Sequence, residues 1–423
     1  MVKSFPEILR RIEKGEAVVM TSQEVADLVR SGGQADLKEV DVVTTATRAV
    51  MSGTYAVLSF PVAHPGSFSR ARNVWINGVP ARVGPCPNEN LGVLDLVVFG
   101  TAHSRDSPDY GGGHLFRDLA ERKPAIVEVV TDEGKTLQTE VGLDEMPHAR
   151  IYGSRHAFKN YSAFVNPGDK TVSTIFHARE FEPHCRGATF SGCGQINPVK
   201  NDPLLEAIGV GTRILMNGAE GFVTGQGTRS CPERPNLAGF ADMHKMNPEY
   251  MGGFITSAGP ECIVSWAVPI PVTTNTILNE IARPDRDIPL PVMDVNARCC
   301  IGQADYGDVW EDVDLCVEFD PQGCSGCTRC QVERICPMKA VSFDGTSSKL
   351  DGQRCFHCGL CVSQCPSGAF RCDLGSIRLG GRNVPVVLRQ SDRLRALQLA
   401  EDLKDRITDG SFRMSRMVER INL

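Results

Sequence analysis

The N-terminal third of the chain shows regular spacing of apolar and polar positions. Phe5, Ile8 and Ile12 recur at helical spacing, and Thr21-Ser-Gln-Glu24 has the spacing of a capping box before a second apolar stripe. Runs of β-branched or alternating residues then predict strands separated by glycine turns. The expected strands cover 42–45, 54–60, 93–99, 125–130 and 136–141, and a further helix is expected over 115–122.

Later segments extend this pattern and divide the chain. A helix is expected over 203–208, then strand, glycine turn and strand within 209–227, and a charged helix over 392–407 that Asp409-Gly410 ends. Composition changes near Cys316, where a short segment rich in turns and in cysteine begins. We therefore predict a mixed α/β (α+β) catalytic body over 1–312, a small ferredoxin-like domain over 313–375, and a strand-and-helix extension over 376–423.

Composition excludes several classes of protein. Of the 423 residues, 41% are hydrophobic and 23% charged, which is ordinary for a globular protein and excludes disorder of the whole chain. The net charge of −6 provides no general field for phosphate backbones, so no nucleic-acid partner is expected. No N-terminal apolar segment and no run of 18 apolar residues occurs. We expect neither secretion nor a membrane span, and place the protein in the cytoplasm of an anaerobe.

The cysteines carry the most specific signal in the sequence. Eight of the 17 fall in two runs, CxxCxxC-x5-CP and CxxCxxC-x3-CP. The second run has the spacing of bacterial [4Fe–4S] ferredoxins, and the first differs only in its longer last gap. In such runs the last cysteine binds the other cluster. The predicted ligands are Cys324, Cys327, Cys330 and Cys365 for one [4Fe–4S] cluster, and Cys336, Cys355, Cys358 and Cys361 for the other.

Two zinc sites are the alternative interpretation, because CxxC pairs also form zinc ribbons. A zinc site has no need of the third cysteine in each run, whereas the cluster interpretation accounts for it and for both CP pairs. Two adjacent low-potential clusters transfer electrons singly. The 313–375 segment therefore indicates an electron conduit, and the body must determine what is reduced.

Short motifs in the body add a resemblance to a known family. The motifs are Asp41-Val-Val-Thr-Thr-Ala-Thr47, Met51-Ser-Gly-Thr54, Val74-Trp-Ile-Asn-Gly-Val-Pro80, Tyr110-Gly-Gly-Gly-His114, Asn201-Asp-Pro203, Gly211-Thr-Arg-Ile214 and Val268-Pro-Ile-Pro271. With the cysteine-rich segment attached, their order resembles that of the homocysteine biosynthesis family, in its methanogenesis marker sixteen metalloprotein branch.

The resemblance implies a sulfurtransferase that inserts sulfur reductively into a small anionic aldehyde to give a thiol. Its branch favours sulfoacetaldehyde to coenzyme M, with aspartate semialdehyde to homocysteine as the alternative. Converting R–CHO and sulfide to R–CH2–SH and water consumes two electrons and two protons, which suits two one-electron clusters. The expected partners are the aldehyde, a sulfide or persulfide donor and an electron-donor protein. The alternative from another class of protein is an electron-transfer or scaffold subunit of a redox complex.

Cys193 and Cys86 are the candidate sulfur carriers, as a cysteine persulfide. Flanking Gly and Pro predict that each lies on an exposed turn, where a thiolate is free to react. The alternative for any free cysteine is a small buried hydrophobe, which we prefer for Cys262. The aspartate-semialdehyde branch carries a cysteine near the Met51-Ser-Gly53 motif, and this chain has none there.

A third cluster is a further alternative for the scattered cysteines. The members of such a site are Cys185, Cys193, Cys231, Cys299 and Cys300. An open iron site could itself hold sulfide, so this alternative would change the source of sulfur.

Histidines, glycines and arginines supply the remaining candidates. His114 and His103 are the candidate proton donors to the departing oxygen, although a lone histidine is more often structural. The helix N-terminus after Gly111, Gly112 and Gly113 offers N–H groups to an anion, with a plain turn as the alternative. Arg213 or Arg229 is expected to pair with the anionic group of the substrate.

Overall fold

A computed structural model of the protein describes residues 3–33, 36–84, 86 and 89–423. Its strands are β1 (Val19–Thr21), β2 (Val42–Val50), β3 (Thr54–Pro61), β4 (Ala71–Ile76), β5 (Val79–Val83), β6 (Val93–Phe99), β7 (Ala125–Thr131), β8 (Thr136–Val141), β9 (His148–His156), β10 (Ala163–Val165), β11 (Ala188–Phe190), β12 (Arg213–Met216), β13 (Ala219–Gln226), β14 (Leu237–Asp242), β15 (Gly252–Thr256), β16 (Gly259–Pro271), β17 (Pro289–Asp294), β18 (Cys300–Asp305), β19 (Glu318–Phe319), β20 (Val341–Phe343), β21 (Ser348–Leu350), β22 (Phe370–Arg371), β23 (Ser376–Leu379) and β24 (Arg382–Arg389). Its α-helices are α1 (Phe5–Glu13), α2 (Ser22–Arg30), α3 (Gly112–Ala120), α4 (Pro198–Asn201), α5 (Asn275–Ile281), α6 (Gly307–Trp310), α7 (Gln331–Ile335), α8 (Leu360–Gln364) and α9 (Arg393–Thr408).

A long sheet forms the larger part of the body. Its strand order is β1-β2-β16-β12-β13-β14-β9-β3-β6-β5-β4-β7-β8, and β15 pairs with the outer part of β16. Strands β2 and β16 run antiparallel along the whole of β2, from Val42 opposite Pro271 to Val50 opposite Ile263. Residues 42–49 are buried without alternation, because α9 covers this part of the sheet.

The second sheet combines distant parts of the chain, in the order β18-β17-β10-β11-β24-β23. Strand β24 runs parallel to β11, and α9 then packs on β1, β2 and β16. Residues 376–423 thus complete the body, whereas we had predicted a separate extension. The cysteine-rich segment is an insertion between the strands of this sheet.

The inserted segment has little regular structure of its own. It contains the two-stranded pairs β19–β22 and β20–β21 and the short helices α7 and α8. It docks on the body through the Ile255 N–H, which donates to the carbonyl of Pro337 at 3.0 Å, and through the rings of Phe254 and Phe356, 5.3 Å apart. Arg354 adds an ion pair with Glu121 at 3.2 Å. The insertion is therefore packed against the body near α3 and β15.

Most predicted elements of the body are present, with one clear exception. Helix α2 begins with the predicted capping box, in which the Glu24 N–H donates to the Thr21 hydroxyl and the Thr21 N–H to the Glu24 carboxylate. The helix predicted over 203–208 is wrong. Here the carboxylate of Asp202 accepts the N–H groups of residues 206–208 at 2.8–2.9 Å, which replaces helical bonding with a side-chain-capped turn.

Candidate active site

An open cavity of about 700 Å³ lies where the two sheets meet. Its walls come from β2 and the turn after it, the end of β9, the loop over 228–234, and the ends of β11 and β17. We call it the arginine cavity, because Arg155, Arg229, Arg234 and Arg298 line it. Its size is that of a small-molecule site, and it is the structural feature that best fits an active site.

The four arginines give the cavity a strongly cationic wall. None of them forms an ion pair with a described residue. Burial lowers the pKa of Arg155, and the neighbouring cations Arg229 and Arg234 lower it further, while its Nε has no hydrogen-bond partner among the described residues. Arg298 lies over the ring of Phe176, with 4.1 Å from guanidinium carbon to ring centroid. Arginines that lie together without ion-pair partners are arranged for an anionic ligand.

Glu261 at the start of β16 is the carboxylic acid among the residues that line the cavity. Its side chain is buried, and this burial raises its pKa, while a hydrogen bond with Ser52 acts in the opposite direction. Its Oε2 has no hydrogen-bond partner among the described residues. A buried carboxyl with a raised pKa in a cavity wall has the properties of a general acid.

The cysteine runs fold into two separate groups of four. Cys324, Cys327, Cys330 and Cys365 line one small cavity, the outer quartet, and Cys336, Cys355, Cys358 and Cys361 line another, the inner quartet. These are the two crossed sets that the spacing predicts. Among the described residues, no group of three or more His, Cys, Asp or Glu side chains is arranged to hold a metal ion. Four cysteines are the number of ligands that a [4Fe–4S] cluster takes.

The chemistry of the inner quartet also fits a cluster. Burial raises the pKa of Cys355 to about 12, and the charge of Cys336 adds to this rise. Burial likewise raises the pKa of Cys358 and of Cys361, and charges on neighbouring quartet cysteines raise both further. Four thiols in an apolar pocket would lose their protons only if positive charge lay between them, and a bound iron–sulfur cluster would supply that charge.

The outer quartet has more polar surroundings. Hydrogen bonds from the backbone of Gly326 and Ser348 lower the pKa of Cys324. Burial opposes the change at Cys365, but hydrogen bonds from Ser367 and the backbone after it lower the pKa of that thiol. Hydrogen bonds to cysteine sulfur are a common way of setting cluster potentials.

The inner quartet lies next to the arginine cavity. The Arg389 N–H donates to the carbonyl of Cys358 at 2.8 Å, and the following residue, Gln390, lines the cavity. Val50 also lines the cavity, packs against the apolar cluster that contains Cys355 and Cys358, and donates its N–H to Gln390 at 3.1 Å. Only a thin layer of protein therefore separates the quartet from the cavity.

The structure places Cys193 away from an exposed turn. Its side chain has zero exposure in the apolar core beneath α9, 3.6 Å from the Thr47 hydroxyl. Burial raises its pKa, which opposes thiolate formation. The neighbours Ser191 and Gly192 line the cavity, whereas Cys193 is not among its lining residues. This arrangement corrects the expected exposure, because the glycine turn directs the sulfur inward.

The other scattered cysteines lie at several places. Cys86 is exposed, as expected, but is not among the residues that line the cavity, and its neighbours Pro85 and Pro87 lie outside the described residues. Cys185 packs against the core of the second sheet, Cys231 lies in the loop over 228–234, and Cys299 and Cys300 are exposed before and at the start of β18. A third cluster stays a prediction that this arrangement does not support.

Both candidate histidines lie outside the cavity lining. His114 in α3 is partly buried, and this desolvation lowers its pKa to about 4, so the ring is neutral at pH 7. It packs against Gly253, where a Cβ would lie 2.0 Å from Nδ1. His103 packs in the same way against Gly259, where a Cβ would lie 2.2 Å from Cε1. These contacts indicate structural packing, and proton transfer by either ring stays untested.

The three glycines at the N-terminus of α3, Gly111, Gly112 and Gly113, have a packing role and do not form a free anion site. The N–H groups of Gly112 and Gly113 donate to the carbonyls of Ala102 and Gly100, both at 2.9 Å. A Cβ at Gly112 would lie 2.1 Å from the Phe99 carbonyl oxygen, and one at Gly111 or Gly113 would also be too close to backbone. The expected anion site is therefore corrected, since these donors are used to pack α3 closely against the sheet.

The two candidate arginines differ in position. Arg229 lines the cavity, as a substrate-binding residue must. Arg213 on β12 instead forms an ion pair with Glu220 at 3.0 Å and is not among the lining residues. Arg213 is therefore corrected to a surface role on the sheet.

Sequence reasoning missed Glu261 and three of the cavity arginines, Arg155, Arg234 and Arg298. Glu261 had one visible signal, since it is a lone acid before the apolar run 262–264. The arginines follow strand ends and turns in three distant segments. Only the sheet pairing brings them together, so no local pattern could reveal them.

The chain belongs to the homocysteine biosynthesis enzyme, sulfur-incorporation family, whose pattern matches residues 17–414. This confirms the resemblance in the motifs and shows that the protein is an enzyme of sulfur incorporation. It argues against the alternative of an electron-transfer or scaffold subunit.

Several relatives support the assignment. An uncharacterized protein of Methanothermobacter thermautotrophicus is 48% identical, over 96% of this chain and 94% of its own. One of Methanocaldococcus jannaschii is 39% identical, over 94% of this chain and 99% of its own. The L-aspartate semialdehyde sulfurtransferase of Methanosarcina acetivorans is 31% identical, over 69% of this chain and 58% of its own. No solved structure matches the chain.

The structure also bears on the membrane expectation. No helix among the described residues is both long enough and apolar enough to span a bilayer.

Proposed function

We propose that the protein inserts sulfur reductively into a small anionic aldehyde, and that the aldehyde is sulfoacetaldehyde, which yields coenzyme M. One observation carries the proposal: an arginine-lined cavity lies beside a buried cysteine quartet that fits an iron–sulfur cluster. The cavity suits the anionic group, and the quartet suits a reductive step. The family supplies the sulfur chemistry.

The charges of the cavity favour sulfoacetaldehyde over aspartate semialdehyde. The second aldehyde carries an α-ammonium group, which proteins normally hold with a carboxylate. The lining carries four arginines and one carboxyl, Glu261, whose raised pKa makes it a weak partner for a cation. A substrate with a sulfonate and no ammonium group fits this set of charges better.

Four residues of the cavity then have defined roles. Arg155 and Arg229 bind the sulfonate, and their shared positive charge fixes the end of the substrate away from the aldehyde. The Glu261 carboxyl donates a proton to the aldehyde oxygen as it leaves as water, and Ser52 orients that carboxyl. The sulfur comes from sulfide or a persulfide donor.

Two [4Fe–4S] clusters would occupy the quartets, and when bound they supply electrons one at a time. The outer quartet lies nearer to solvent, since its cysteines are only partly buried, so an electron-donor protein would dock there. The inner quartet lies at the wall of the cavity, where the reduction is needed.

An anaerobic assay tests the proposal. Reconstituted protein is incubated with sulfide, a low-potential reductant and each aldehyde in turn, and coenzyme M and homocysteine are measured by mass spectrometry. We expect coenzyme M from sulfoacetaldehyde and much less homocysteine from aspartate semialdehyde. Omission of the reductant serves as a control and should abolish the product. Homocysteine as the main product, or thiol formation by iron-free protein, would refute the proposal.

Aspartate semialdehyde remains the second candidate for a specific reason. A relative 31% identical to this chain is named for that substrate. The match covers 69% of this chain and 58% of that relative, so part of each protein lies outside the shared region. The assay above separates the two candidates directly.

A further inference from the structure

Two cysteines of the insertion belong to neither quartet. Cys316 and Cys372 are not among the residues that line either quartet cavity. In the ladder of β19 and β22, Glu318 lies opposite Arg371. Four residues before Glu318, the Asp314 N–H donates to the carbonyl of Asp373 at 3.1 Å. Cys316 lies within the first of these facing segments and Cys372 within the second, and the Cys372 sulfur lies 3.7 Å from the carbonyl oxygen of Asp314, two residues before Cys316.

A buried cation points to the same place. Arg389 is 1% exposed, and its guanidinium donates to the carbonyls of Asp314 at 2.7 Å and Asp373 at 3.1 Å. Its Nη1 lies 3.9 Å from the Cys372 sulfur, and its Nε has no hydrogen-bond partner among the described residues. No described carboxylate forms an ion pair with this arginine. A buried, unpaired arginine beside a thiol stabilises the sulfur when it carries negative charge, as it does during thiol–disulfide exchange.

The same arginine connects this pair to the rest of the site. Its N–H donates to the carbonyl of Cys358 in the inner quartet at 2.8 Å, and Gln390, the next residue, lines the arginine cavity. Cys372 also packs against the apolar cluster on which several quartet cysteines lie. The pair therefore lies where electrons from the quartet and the chemistry of the cavity meet.

We propose that Cys316 and Cys372 form a redox-active couple that alternates between a disulfide and two thiols. In the reducing direction, a low-potential one-electron donor supplies two electrons in succession, the S–S bond breaks, and two protons from solvent complete the thiols. In the other direction, the S–S bond forms and releases the two electrons and two protons that reduction of one aldehyde consumes. The couple thus stores two electrons, which the donor delivers one at a time.

The electrostatics of the pair agree with this chemistry. Burial raises the pKa of Cys372 to about 11, and Arg389 opposes the rise while Asp314 and Cys316 add to it. The Cys372 thiol therefore holds its proton at neutral pH. Reduction of the disulfide accordingly returns a proton to this sulfur together with an electron.

A thiol census tests the proposal without an aldehyde. Anaerobic, cluster-containing protein is oxidised with a mild thiol oxidant or reduced with dithionite, and its free thiols are alkylated. After digestion, mass spectrometry identifies cross-linked peptides. We expect one cross-linked peptide that joins Cys316 to Cys372 in the oxidised sample, and two alkylated cysteines in its place after dithionite. In Cys316→Ser the cross-link should be absent and Cys372 should be alkylated in both samples.

Cys185→Ser is the matched control, since Cys185 is a partly buried cysteine outside the insertion, and it should keep the cross-link. Full alkylation of both cysteines in the oxidised wild-type protein would overturn the proposal. So would loss of iron from Cys372→Ser, because Cys372 would then support a cluster. Only the role of the redox couple in aldehyde reduction rests on the proposed function; the formation of the disulfide does not. The census can succeed when no aldehyde is converted, so the two failures are distinguishable.

Discussion

The arginine cavity and the inner quartet are neighbours with opposite chemistry. The cavity is open, polar and lined by four arginines, whereas the quartet is closed, apolar and lined by thiols. Only a backbone segment that includes Arg389 and Gln390, together with Val50, lies between them. The difference indicates that recognition of the aldehyde and supply of electrons are separate tasks. Substitutions in one region should then leave the other intact.

The largest effect is expected from the inner quartet. Cys358→Ser should abolish thiol formation with either aldehyde, because an alcohol at a fully buried ligand position cannot replace the thiolate. Binding of the aldehyde should be unchanged, as measured by isothermal calorimetry. Iron content and electron paramagnetic resonance report the lost cluster.

Cys327→Ser in the outer quartet is the matched control for that substitution. It should remove one cluster yet keep measurable turnover with a small viologen reductant that is able to reach the inner site. Equal loss of turnover in the two variants would show that the inner and outer quartets do not differ in their roles.

Glu261 should have the next largest effect. Glu261→Gln removes a proton donor and should lower kcat by about 100- to 1000-fold, while KM changes little. Because burial raises the pKa of this carboxyl, it stays protonated at higher pH than an ordinary glutamate. Activity should therefore persist below that pKa and fall as the pH rises through it. A wild-type pH–rate profile without such a fall would contradict the role.

The arginines should affect recognition more than reaction rate. Arg155→Ala should raise KM for sulfoacetaldehyde about 10- to 100-fold, the effect expected from loss of one charge-assisted hydrogen bond. Acetaldehyde, which lacks the anionic group, should be converted equally slowly by the variant and the wild type. Arg213→Ala is the control, because this arginine is paired with Glu220 outside the cavity, and its KM should not change.

The smallest effect is expected from Cys193. Cys193→Ala should cost about 1 kcal/mol of unfolding free energy through lost packing, and should keep kcat within about twofold. Urea denaturation and the thiol assay measure these two quantities. A folded Cys193→Ala protein without activity would restore Cys193 as the sulfur carrier. Cys86→Ser, at an exposed position, should change neither quantity unless Cys86 is that carrier.

Local patterns were sufficient for much of the fold. The capping box before α2, the strands β7 and β8 and the charged helix α9 depend on neighbouring residues, and all are present. The spacing of the cysteines predicts the two quartets, because the motif itself specifies which cysteines lie together. The prediction failed at 203–208, where a single buried carboxylate at Asp202 overrides helical propensity.

Long-range pairing was beyond the sequence. Arg155, Arg234 and Arg298 lie on three segments that meet only through the two sheets, and Glu261 is one acid among many until β16 is placed. The direction of a side chain was equally invisible. Cys193 lies in a turn, as its flanking glycines predict, but its sulfur faces the core.

The parallel pairing of β24 with β11 bears on how the chain tolerates shortening. A truncation after residue 375 would remove an internal strand of the second sheet together with the helix that covers β2, so the remaining protein should aggregate. Excision of 313–375 with a short glycine bridge would spare every strand of both sheets. The cysteine-rich insertion over 313–375 is thus the portion that could be exchanged, whereas the C-terminal residues 376–423 are required for the fold.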